Sequence, residues 1–360
     1  MNIPPAKEPQ PGRRATLKDV AKETGYHITT ISLALRGHAS IPAETRQLIE
    51  TAAKRMGYQR NAVFHALSRF RQQGRVRAPS PRIAYLENYG AGSGIKRPTH
   101  LQEMLDGASK QAELLGYQLD VLAVGEDDLD SRGVSQYLRA HSITGVVIGS
   151  FQAGYANVAL NWDEYAVAKI HSRHTEPKVT VVANDHLREV RIAFSRLAAL
   201  GYKRIGIAIG RADEDACGHR HTVGYLMELA SLPGDRQVPP LLFPYNSDAA
   251  MVGGMLGRWV RRHKVDVVLC NWLSIHQILE QAGGLRVPEE VACACLCICG
   301  TSERSTTLAG IRPRLDLVGE RVVSLVVSQL KSGQLGLPEC AASLYVQSIW
   351  KEGPSAPLRA

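Results

Sequence analysis

The chain has 360 residues, of which 44% are hydrophobic and 21% are charged. These proportions are typical of globular proteins and exclude a disordered or fibrous chain, and at ~150 residues per domain the length predicts two or three domains. No apolar run approaches the ~20 residues that a membrane span requires, and Met1–Lys18 lacks the apolar segment of a secretion signal. We therefore expect a cytoplasmic protein with no membrane partner.

The net charge of +9 lies entirely in the first fifth of the chain. Residues 1–78 hold 14 Lys and Arg against 5 Asp and Glu, whereas residues 79–360 hold 29 of each kind. Positive charge concentrated beside a neutral body is what binding to a phosphate backbone requires, because released counterions supply much of the affinity. A solvated basic tail would carry the same charge, so the pattern inside the segment has to decide between them.

Three short helices are predicted after a proline-rich lead-in. Thr16 is a suitable N-cap for the first helix, Gly25 ends it, and a second apolar pattern begins only three residues later, at Ile28. Pro42 opens the third helix and Gly57 closes it. Two helices joined by a tight glycine-containing turn are typical of a helix-turn-helix headpiece. The residues expected to face inward are Leu17, Val20 and Ala21 in the first helix, Ile31, Ala34 and Leu35 in the second, and Leu48, Ile49, Ala52 and Ala53 in the third.

The remaining chain changes to alternating strands and helices after a linker. An Ala-Pro-Ser-Pro run marks the domain boundary, and beyond it the joints Leu115-Gly-Tyr117 and Leu200-Gly-Tyr202 are nearly the same. This repeat predicts two similar α/β lobes, each a parallel sheet covered by helices, with a ligand cleft beyond the carboxyl ends of the strands. The predicted organisation is a disordered tail (1–15), an all-α headpiece (16–60), a hinge helix or linker (61–78), a two-lobed α/β domain (79–350) and a C-terminal tail (351–360).

Cysteine and histidine patterns do not predict a metal site. None of the seven cysteines has CxxC spacing, which argues against both a disulfide framework and a zinc site. The alternating Cys293, Cys295, Cys297 and Cys299 are expected on one face of a buried strand, where sulfurs roughly 6–7 Å apart are too distant for zinc at ~2.3 Å from each sulfur. We expect these cysteines in the core, no cofactor or metal, and His171 and His174 as surface or loop residues.

A collinear series of residues runs without gaps through the headpiece and hinge, and it is similar to the lactose-repressor/galactose-repressor (LacI/GalR) family of transcription regulators. The body resembles this family more loosely. The resemblance implies a periplasmic-binding-protein-like body that takes up a small effector, such as a sugar, between its lobes. It also implies a homodimer, with a tetramer less favoured, on a palindromic operator of double-stranded DNA under allosteric control. The matching segments are Thr16-Leu-Lys-Asp-Val-Ala21, Gly25, Thr30-Ile-Ser32, Thr45-Arg46, Gly57-Tyr58, Asn61 and Leu67, followed by Leu105-Asp-Gly-Ala108, Gly145-Val-Val-Ile148 and Gly284-Leu-Arg-Val-Pro-Glu-Glu290.

The resemblance assigns DNA contacts to the headpiece and hinge. By position, Ile28 and Thr29 match the family's readers of base edges, where Ile28 offers apolar contact and Thr29 a single short hydrogen bond. Leu33 stands where the family commonly has an arginine, and helix packing remains the alternative for both Ile28 and Leu33. Leu67 matches the hinge leucine that wedges between base pairs in the minor groove. The full predicted DNA-binding set is Thr16, Leu17, His27, Ile28, Thr29, Thr30, Ser32, Leu33, Thr45, Tyr58, Asn61 and Leu67.

The resemblance also assigns effector residues to the cleft, and several depart from the family. His221 stands where the family has an effector-clamping arginine, Trp272 replaces an aspartate, and Cys297 replaces the aspartate that usually holds sugar hydroxyls. The predicted cleft has therefore lost carboxylates that a hexose site needs. Core packing is the alternative for Trp272. The predicted effector-binding set is Asn88, Arg220, His221, Tyr245, Asn271, Trp272 and Cys297.

No catalytic motif accompanies these features. The sequence contains no GxSxG elbow, P-loop or HExxH, and no GxGxxG after a strand, which disfavours an enzyme. A solute-binding protein would share the two-lobed body but would not carry the headpiece. We predict a sequence-specific transcription regulator, and we favour a repressor over an activator. The alternative is a DNA-binding regulator whose cleft has lost its small ligand and which acts constitutively or through a protein partner.

Overall fold

The computed structural model describes residues 17–35, 41–56, 80–89, 97–125, 128–149, 151, 158–171 and 176–359. The chain divides into two compact units, residues 1–78 and 79–360. The predicted tail (1–15) and hinge (61–78) lie outside the described residues, as do Thr16, Tyr58, Asn61, Leu67 and His174. No helix in the described ranges is long and apolar enough to cross a membrane.

Three helices form the first unit: α1 (Leu17–Thr24), α2 (Ile28–Ala34) and α3 (Ala43–Arg55). Gly25 ends α1 with a φ of +72°, a left-handed conformation that glycine adopts without a steric penalty. His27 caps α2, because its side chain accepts a hydrogen bond from the backbone N–H of Thr29. Pro42 precedes α3 as its N-cap. The predicted three-helix headpiece is confirmed.

The headpiece core is narrower than the sequence pattern predicts. Val20, Ile31 and Ile49 are fully buried, as expected, but Leu48 is 51% exposed. Successive helix residues point about 100° apart, and the buried stripe of α3 follows Ile49, Ala52 and Ala53. Leu48 falls outside this stripe, so its assignment to the core was wrong.

The second unit contains two lobes of strands and helices. The strands are β1 (Arg82–Glu87), β2 (Gln118–Ala123), β3 (Gly145–Ile148), β4 (Ala166–Ile170), β5 (Val181–Asn184), β6 (Ile205–Gly210), β7 (Leu241–Phe243), β8 (Val267–Cys270), β9 (Ala292–Cys295), β10 (Ala309–Arg312), β11 (Ser343–Val346) and β12 (Ile349–Lys351). The helices are α4 (Thr99–Leu114), α5 (Ser131–Ala140), α6 (His186–Ala199), α7 (Arg211–Ala216), α8 (Arg220–Leu229), α9 (Ala249–His263), α10 (Ile275–Gln277), which runs into a π-helical turn (Ile278–Ala282), α11 (Glu303–Thr307) and α12 (Leu315–Ser332).

Each lobe is built on a six-stranded sheet. The strand order is β11-β5-β4-β3-β1-β2 in lobe 1 and β12-β10-β9-β8-β6-β7 in lobe 2. Neighbouring strands pair in parallel, except that β12 lies antiparallel to β10 at the edge of lobe 2. Strands β3, β4 and β9 are buried along their whole length, as expected where helices cover both faces of a sheet. The predicted two-lobed α/β architecture is confirmed, with one antiparallel strand added.

The repeated Leu-Gly-Tyr joint has the same geometry in both lobes. Gly116 and Gly201 have φ values of +80° and +91°. The N–H groups of Tyr117 and Tyr202 each bond to the carbonyl five residues back, at 2.8 and 3.1 Å. This bond satisfies a carbonyl at the end of the helix and directs the chain into the next strand, so the repetition seen in the sequence reflects one helix-ending turn used twice.

The chain crosses between the lobes three times. Strand β5 of lobe 1 leads into α6, which packs on lobe 2, and β10 leads back into α12, which packs on lobe 1. The third crossing joins β11 to β12. The first and third crossings touch, because Ser348 accepts a hydrogen bond from Asn184 Nδ2 at 3.5 Å and donates one to the carboxylate of Glu189 in α6.

Helices α4 and α12 of lobe 1 approach each other backbone to backbone. A Cβ atom added to Gly319 would lie 1.9 Å from the carbonyl oxygen of Met104, and one added to Gly107 would lie 2.0 Å from that of Asp316. No side chain fits at either position without separating the helices. The two glycines therefore set the distance between α4 and α12.

We expect Gly319→Ala to lower the free energy of unfolding by about 1–3 kcal/mol, since the backbone of α4 must move to admit a methyl group. Gly254→Ala is the matched control, because the nearest atom to its added Cβ is a side-chain nitrogen of Arg258 at 3.5 Å and alanine favours a helix over glycine by ~1 kcal/mol. Urea unfolding compares the two variants. A Gly319→Ala protein as stable as the control would contradict the close-packing account.

Candidate DNA-reading helix and effector cleft

The N-terminal end of α2 carries a group of exposed side chains. Ile28 is 37% exposed, His27 and Thr29 are also exposed, and Thr30 is half-buried. Thr29 Oγ1 lies 3.1 Å from His27 Nδ1, so the capping side chain and the Thr29 hydroxyl are hydrogen-bonded to each other. Residues at the start of the second helix of a helix-turn-helix are those that reach base edges, and this end of α2 is the candidate DNA-reading surface.

Two members of the predicted DNA-binding set are less accessible. Leu33 is half-buried and packs against the headpiece core, which favours the packing interpretation left open from the sequence. Ile28 is exposed, so the groove interpretation stays available for it. Thr45 is half-buried on α3, while Leu17 and Ser32 lie on α1 and α2.

Lobe 2 carries a short acidic helix directly after β6. Helix α7 contains Asp213, Glu214 and Asp215 in succession. Strands β7 and β8 flank β6 in the sheet, so residues that follow those strands lie on either side of α7. The three carboxylates of α7 each contact a different member of the predicted effector set, namely Trp272, His221 and Tyr245, in that order.

The aromatic side of the cleft is anchored by the two aspartates. Trp272 donates from Nε1 to Asp213 Oδ2 at 2.8 Å, and its ring centroid lies 5.3 Å from that of Phe243. Tyr245 is 57% exposed and donates its hydroxyl to Asp215. Trp272 is half-buried. Its ring packs against the core of lobe 2, and its indole N–H donates to Asp213.

Lobe 1 contributes a histidine to the same region. Burial lowers the pKa of His100, and the negative charge of Asp213 opposes this effect. His100 lies in the first turn of α4 in lobe 1, and Asp213 lies in lobe 2. The charge of Asp213 in lobe 2 therefore acts on a titratable group of lobe 1.

A tight turn between α7 and α8 brings a cysteine opposite a histidine. Gly218 and His219 are consecutive left-handed residues, with φ values of +62° and +57°. Cys217 precedes this turn and His221 follows it, and His186 at the start of α6 lies beside them. The side-chain donor atoms of His186, Cys217 and His221 all lie within 4.8 Å of one another, and these three residues are called the His–Cys cluster below.

Each histidine of the cluster has a buried carboxylate behind it. Glu214 Oε1 lies 2.9 Å from His221 Nδ1, and Glu189 Oε2 lies 2.8 Å from His186 Nδ1. Glu214 is fully buried and Glu189 is 2% exposed. Because an ionised carboxylate only accepts hydrogen bonds, each Nδ1 is the donor. The Nε2 atom of each ring is thereby left for other partners.

Charges within the cluster overcome the effect of burial. Burial by itself favours the neutral thiol, but His186 and His221 lower the pKa of Cys217 to about 6. Burial likewise favours a neutral His186, but Cys217 and Glu189 raise its pKa to about 10. The thiol and the imidazole thus shift each other's pKa toward the ionised forms. The thiolate is the form of cysteine that binds metals and attacks electrophiles.

The four alternating cysteines, residues 293, 295, 297 and 299, do not lie on one face of a strand. Strand β9 ends at Cys295, so Cys297 and Cys299 occupy the following loop. Cys293 and Cys295 are buried in the core of lobe 2, as predicted, but Cys299 packs into the core of lobe 1. Cys297 is half-buried, and a hydrogen bond with Cys299 raises the pKa of its thiol. The alternation predicted a longer strand than the one that forms, because the chain ends β9 at Cys295 and makes a loop whose Cys299 packs against lobe 1 before β10 continues the lobe 2 sheet.

His171 is a loop residue, as predicted, and its side chain is half-buried. It follows β4, and its ring centroid lies 5.3 Å from that of His186. Its Nε2 lies 3.2 Å from Asn184 Oδ1, and burial together with His186 lowers its pKa to about 3. The sequence spacing of His171 and His174 gave no sign that the end of β4 faces the start of α6.

The other predicted effector residues lie apart from α7. Arg220 Nη2 is 3.4 Å from Asp185 Oδ1, and its guanidinium stacks over Tyr345 of β11, 4.7 Å from the ring centroid. Asn88 is half-buried just after β1, and Asn271 lies between β8 and Trp272. The structure thus gathers His221, Tyr245 and Trp272 around α7 and places Arg220 at a contact between the lobes.

Sequence reasoning missed the acids of α7 and two members of the His–Cys cluster, His186 and Cys217. The family positions that carry carboxylates are Trp272 and Cys297 in this chain, and α7 places Asp213 and Asp215 beside Trp272 and Tyr245. The four-residue spacing from Cys217 to His221 was an available signal, because donors so spaced can share one side of a helical turn. His186 lies 31 positions before Cys217, and only the fold places it there.

Residues 16–61 match the family of bacterial regulatory proteins called the lacI family. The HTH-type transcriptional regulator CelR of Thermobifida fusca is 25% identical over 332 residues, covering 88% of this chain and 92% of that protein. The sucrose operon repressor of Lactococcus lactis subsp. lactis is 22% identical over 214 residues, covering 59% of this chain and 62% of that repressor.

Solved structures show the same fold. The structure of a transcriptional regulator CelR–cellobiose complex has a TM-score of 0.53 at 19% identity and covers 95% of this chain and 100% of its own. The lac repressor dimer bound to operator and the anti-inducer ONPF has a TM-score of 0.53 at 16% identity. The match covers 96% of this chain and 100% of the repressor chain. Residues 16–61 thus match the lacI family, the chain is similar over most of its length to an HTH-type transcriptional regulator, and the body shares the fold of the lac repressor.

Proposed function

We propose that this chain is a repressor that binds a palindromic operator as a homodimer and is controlled by a small carbohydrate effector in the cleft between its lobes. The observation that carries the proposal is the exposed N-terminal end of α2 within a family-matched headpiece. The positive charge of residues 1–78 supports it, because phosphate contacts supply affinity and position the headpiece on the duplex.

Base reading is proposed for the exposed end of α2. Ile28 would contact a thymine methyl group, and Thr29 would make one hydrogen bond to a base edge. The remaining proposed DNA contacts are those of the predicted set, with Leu67 as the minor-groove wedge of the hinge. Leu33 is the weakest member of this set, since it packs against the headpiece core.

A carbohydrate effector is supported by the chemistry around α7. Sugars combine hydroxyl groups with an apolar ring face, and this cleft offers Asp213 and Asp215 beside Trp272 and Tyr245. A cleft with a few polar groups on an apolar wall is the usual form of a small-molecule site. The relatives named above include a regulator in complex with cellobiose and a sucrose operon repressor, and we propose a short glucoside as the effector class.

The second candidate function is a DNA-binding regulator without a small-molecule effector. One observation favours it: the carboxylates of Asp213, Glu214 and Asp215 are already bonded to side chains of this chain. A carboxylate that is fully used internally has less capacity for a sugar hydroxyl. Such a protein would act constitutively or answer to a protein partner.

Selection from a random duplex library by the full-length protein, at near-physiological salt, tests operator binding. We expect a palindrome with two half-sites whose centres lie about one helical turn, or a multiple of it, apart, because each subunit of a dimer presents one α2 to the major groove. Enrichment of a single asymmetric site would contradict the homodimer. Enrichment of no sequence would contradict specific reading.

Thr29→Ala should change the base preference at one position of each half-site and leave the salt dependence of binding unchanged, because a base contact is lost and no phosphate contact. Thr51→Ala is the matched control, since Thr51 is exposed on α3 and its hydroxyl bonds to the Gln47 carbonyl within the same helix at 2.7 Å. The measurement is the base-preference profile of each variant. An unchanged profile for Thr29→Ala would remove this residue from the reading set.

Cellobiose and sucrose are the first effectors to test by thermal unfolding of the full-length protein. We expect one of them to raise the unfolding temperature, because a ligand at 100 times its Kd stabilises the native state by about 2.7 kcal/mol. Trp272→Phe should reduce this shift by removing the indole N–H that anchors the ring to Asp213. Trp162→Phe, in lobe 1, is the control. If neither sugar nor a wider glycoside panel shifts the wild-type protein, the candidate without an effector is favoured.

A further inference from the structure

Three metal-binding donor atoms converge at the junction of α6, α7 and α8. They come from His186, Cys217 and His221 and lie within 4.8 Å of one another. In a tetrahedral zinc site, with bonds of about 2.0–2.1 Å to nitrogen and 2.3 Å to sulfur, the donor atoms stand roughly 3.3–3.7 Å apart. A movement of about 1 Å, which side-chain rotation supplies, brings this cluster to that geometry.

The histidines are oriented as metal ligands are. Glu189 and Glu214 accept hydrogen bonds from the Nδ1 atoms of His186 and His221, respectively, and this sets the tautomer in which Nε2 carries a lone pair. Carboxylates that hold the far side of a metal-binding imidazole are a recurrent feature of zinc sites. Two such carboxylate–histidine pairs pointing at one sulfur are hard to explain by packing alone.

One of the nitrogens has no use within the protein. Among the described residues, His186 Nε2 is buried and has no hydrogen-bond partner. An unpaired polar atom in the interior is unfavourable. A metal ion bound to Nε2 would satisfy it.

The charges of the surroundings also favour a cation. Glu189 and Glu214 are buried carboxylates, and a metal-binding Cys217 adds a thiolate. Three negative charges in an interior need positive partners. A divalent ion would supply that charge while leaving both rings neutral.

We infer that His186 Nε2, His221 Nε2 and Cys217 Sγ bind one zinc ion, with the fourth coordination position left to water or a small ligand. Imidazole and thiolate donors favour zinc over magnesium or calcium, which prefer oxygen, and three protein ligands with an open position are typical of accessible zinc. The sequence analysis predicted no metal here. The inference goes beyond the proposed function and stands whether or not the chain reads an operator.

The first test is titration of the metal-free, full-length protein with Co²⁺. We expect the intense near-ultraviolet absorption of a thiolate–cobalt bond and the visible bands of tetrahedral cobalt, both abolished by added Zn²⁺. Cys217→Ser should remove the thiolate band and weaken Zn²⁺ binding by at least ~10-fold, since a metal ligand is lost. Glu214→Gln should keep the band but weaken binding by about 10–100-fold, because it only orients His221. Cys340→Ser, at an exposed cysteine, is the matched control and should change nothing.

A second test needs no variant and so does not depend on how Cys217→Ser folds. Iodoacetamide labelling of the wild-type protein, followed by mass spectrometry, compares Cys217 with Cys340 in the presence and absence of Zn²⁺. We expect Zn²⁺ to slow labelling of Cys217 at least ~10-fold and to leave Cys340 unchanged. An equal rate of Cys217 labelling with and without Zn²⁺ would overturn the metal site in favour of a reactive thiol. A thiolate–cobalt band retained in Cys217→Ser would overturn the ligand assignment.

Discussion

The turn at Gly218 and His219 is the constraint on which the cleft of lobe 2 depends. Two consecutive left-handed residues are sterically costly for the non-glycine member, and they let α8 begin beside the end of α7. Glu214 then accepts both from His221 Nδ1 and from the backbone N–H of Thr222, at 2.9 and 3.1 Å. A buried carboxylate with these partners fixes α7 against α8. The neighbouring aspartates are thereby directed to Trp272 and Tyr245.

This arrangement divides the cleft into two chemical environments that share one helix. Asp213 and Asp215 face the aromatic side, which matches the needs of a polar ligand with an apolar face, whereas Glu214 faces the His–Cys cluster. The family resemblance places effector contacts at His221 and Cys297, but His221 is only 3% exposed and is held by Glu214. The departures from the family therefore form a consistent group, in which donors suited to a soft cation accompany a rebuilt set of carboxylates.

The His–Cys cluster lies next to two of the segments in which the chain crosses between the lobes. His186 begins α6 directly after the first crossing, and Glu189 behind it accepts a hydrogen bond from Ser348 of the third crossing. A ligand at His186 therefore lies within two side-chain contacts of both crossings. In a protein whose lobes change their relative angle, such a position couples ligand binding to that angle, provided that the ligand contacts differ between the two states.

The sequence by itself determined the local structure: the three headpiece helices, the glycine that ends α1, the twice-used Leu-Gly-Tyr joint and the alternation that builds two parallel sheets. These features depend on contacts within about five residues, which a periodic pattern records. Leu48 and the four alternating cysteines were misjudged because their surroundings come from other elements or from where a strand stops. Only the tertiary structure decided that His186 and Glu189 meet Cys217 and His221, and that the aspartates of α7 lie beside Trp272 and Tyr245. Residues 25 or more positions apart meet through sheet order and lobe crossings, and no local pattern encodes that.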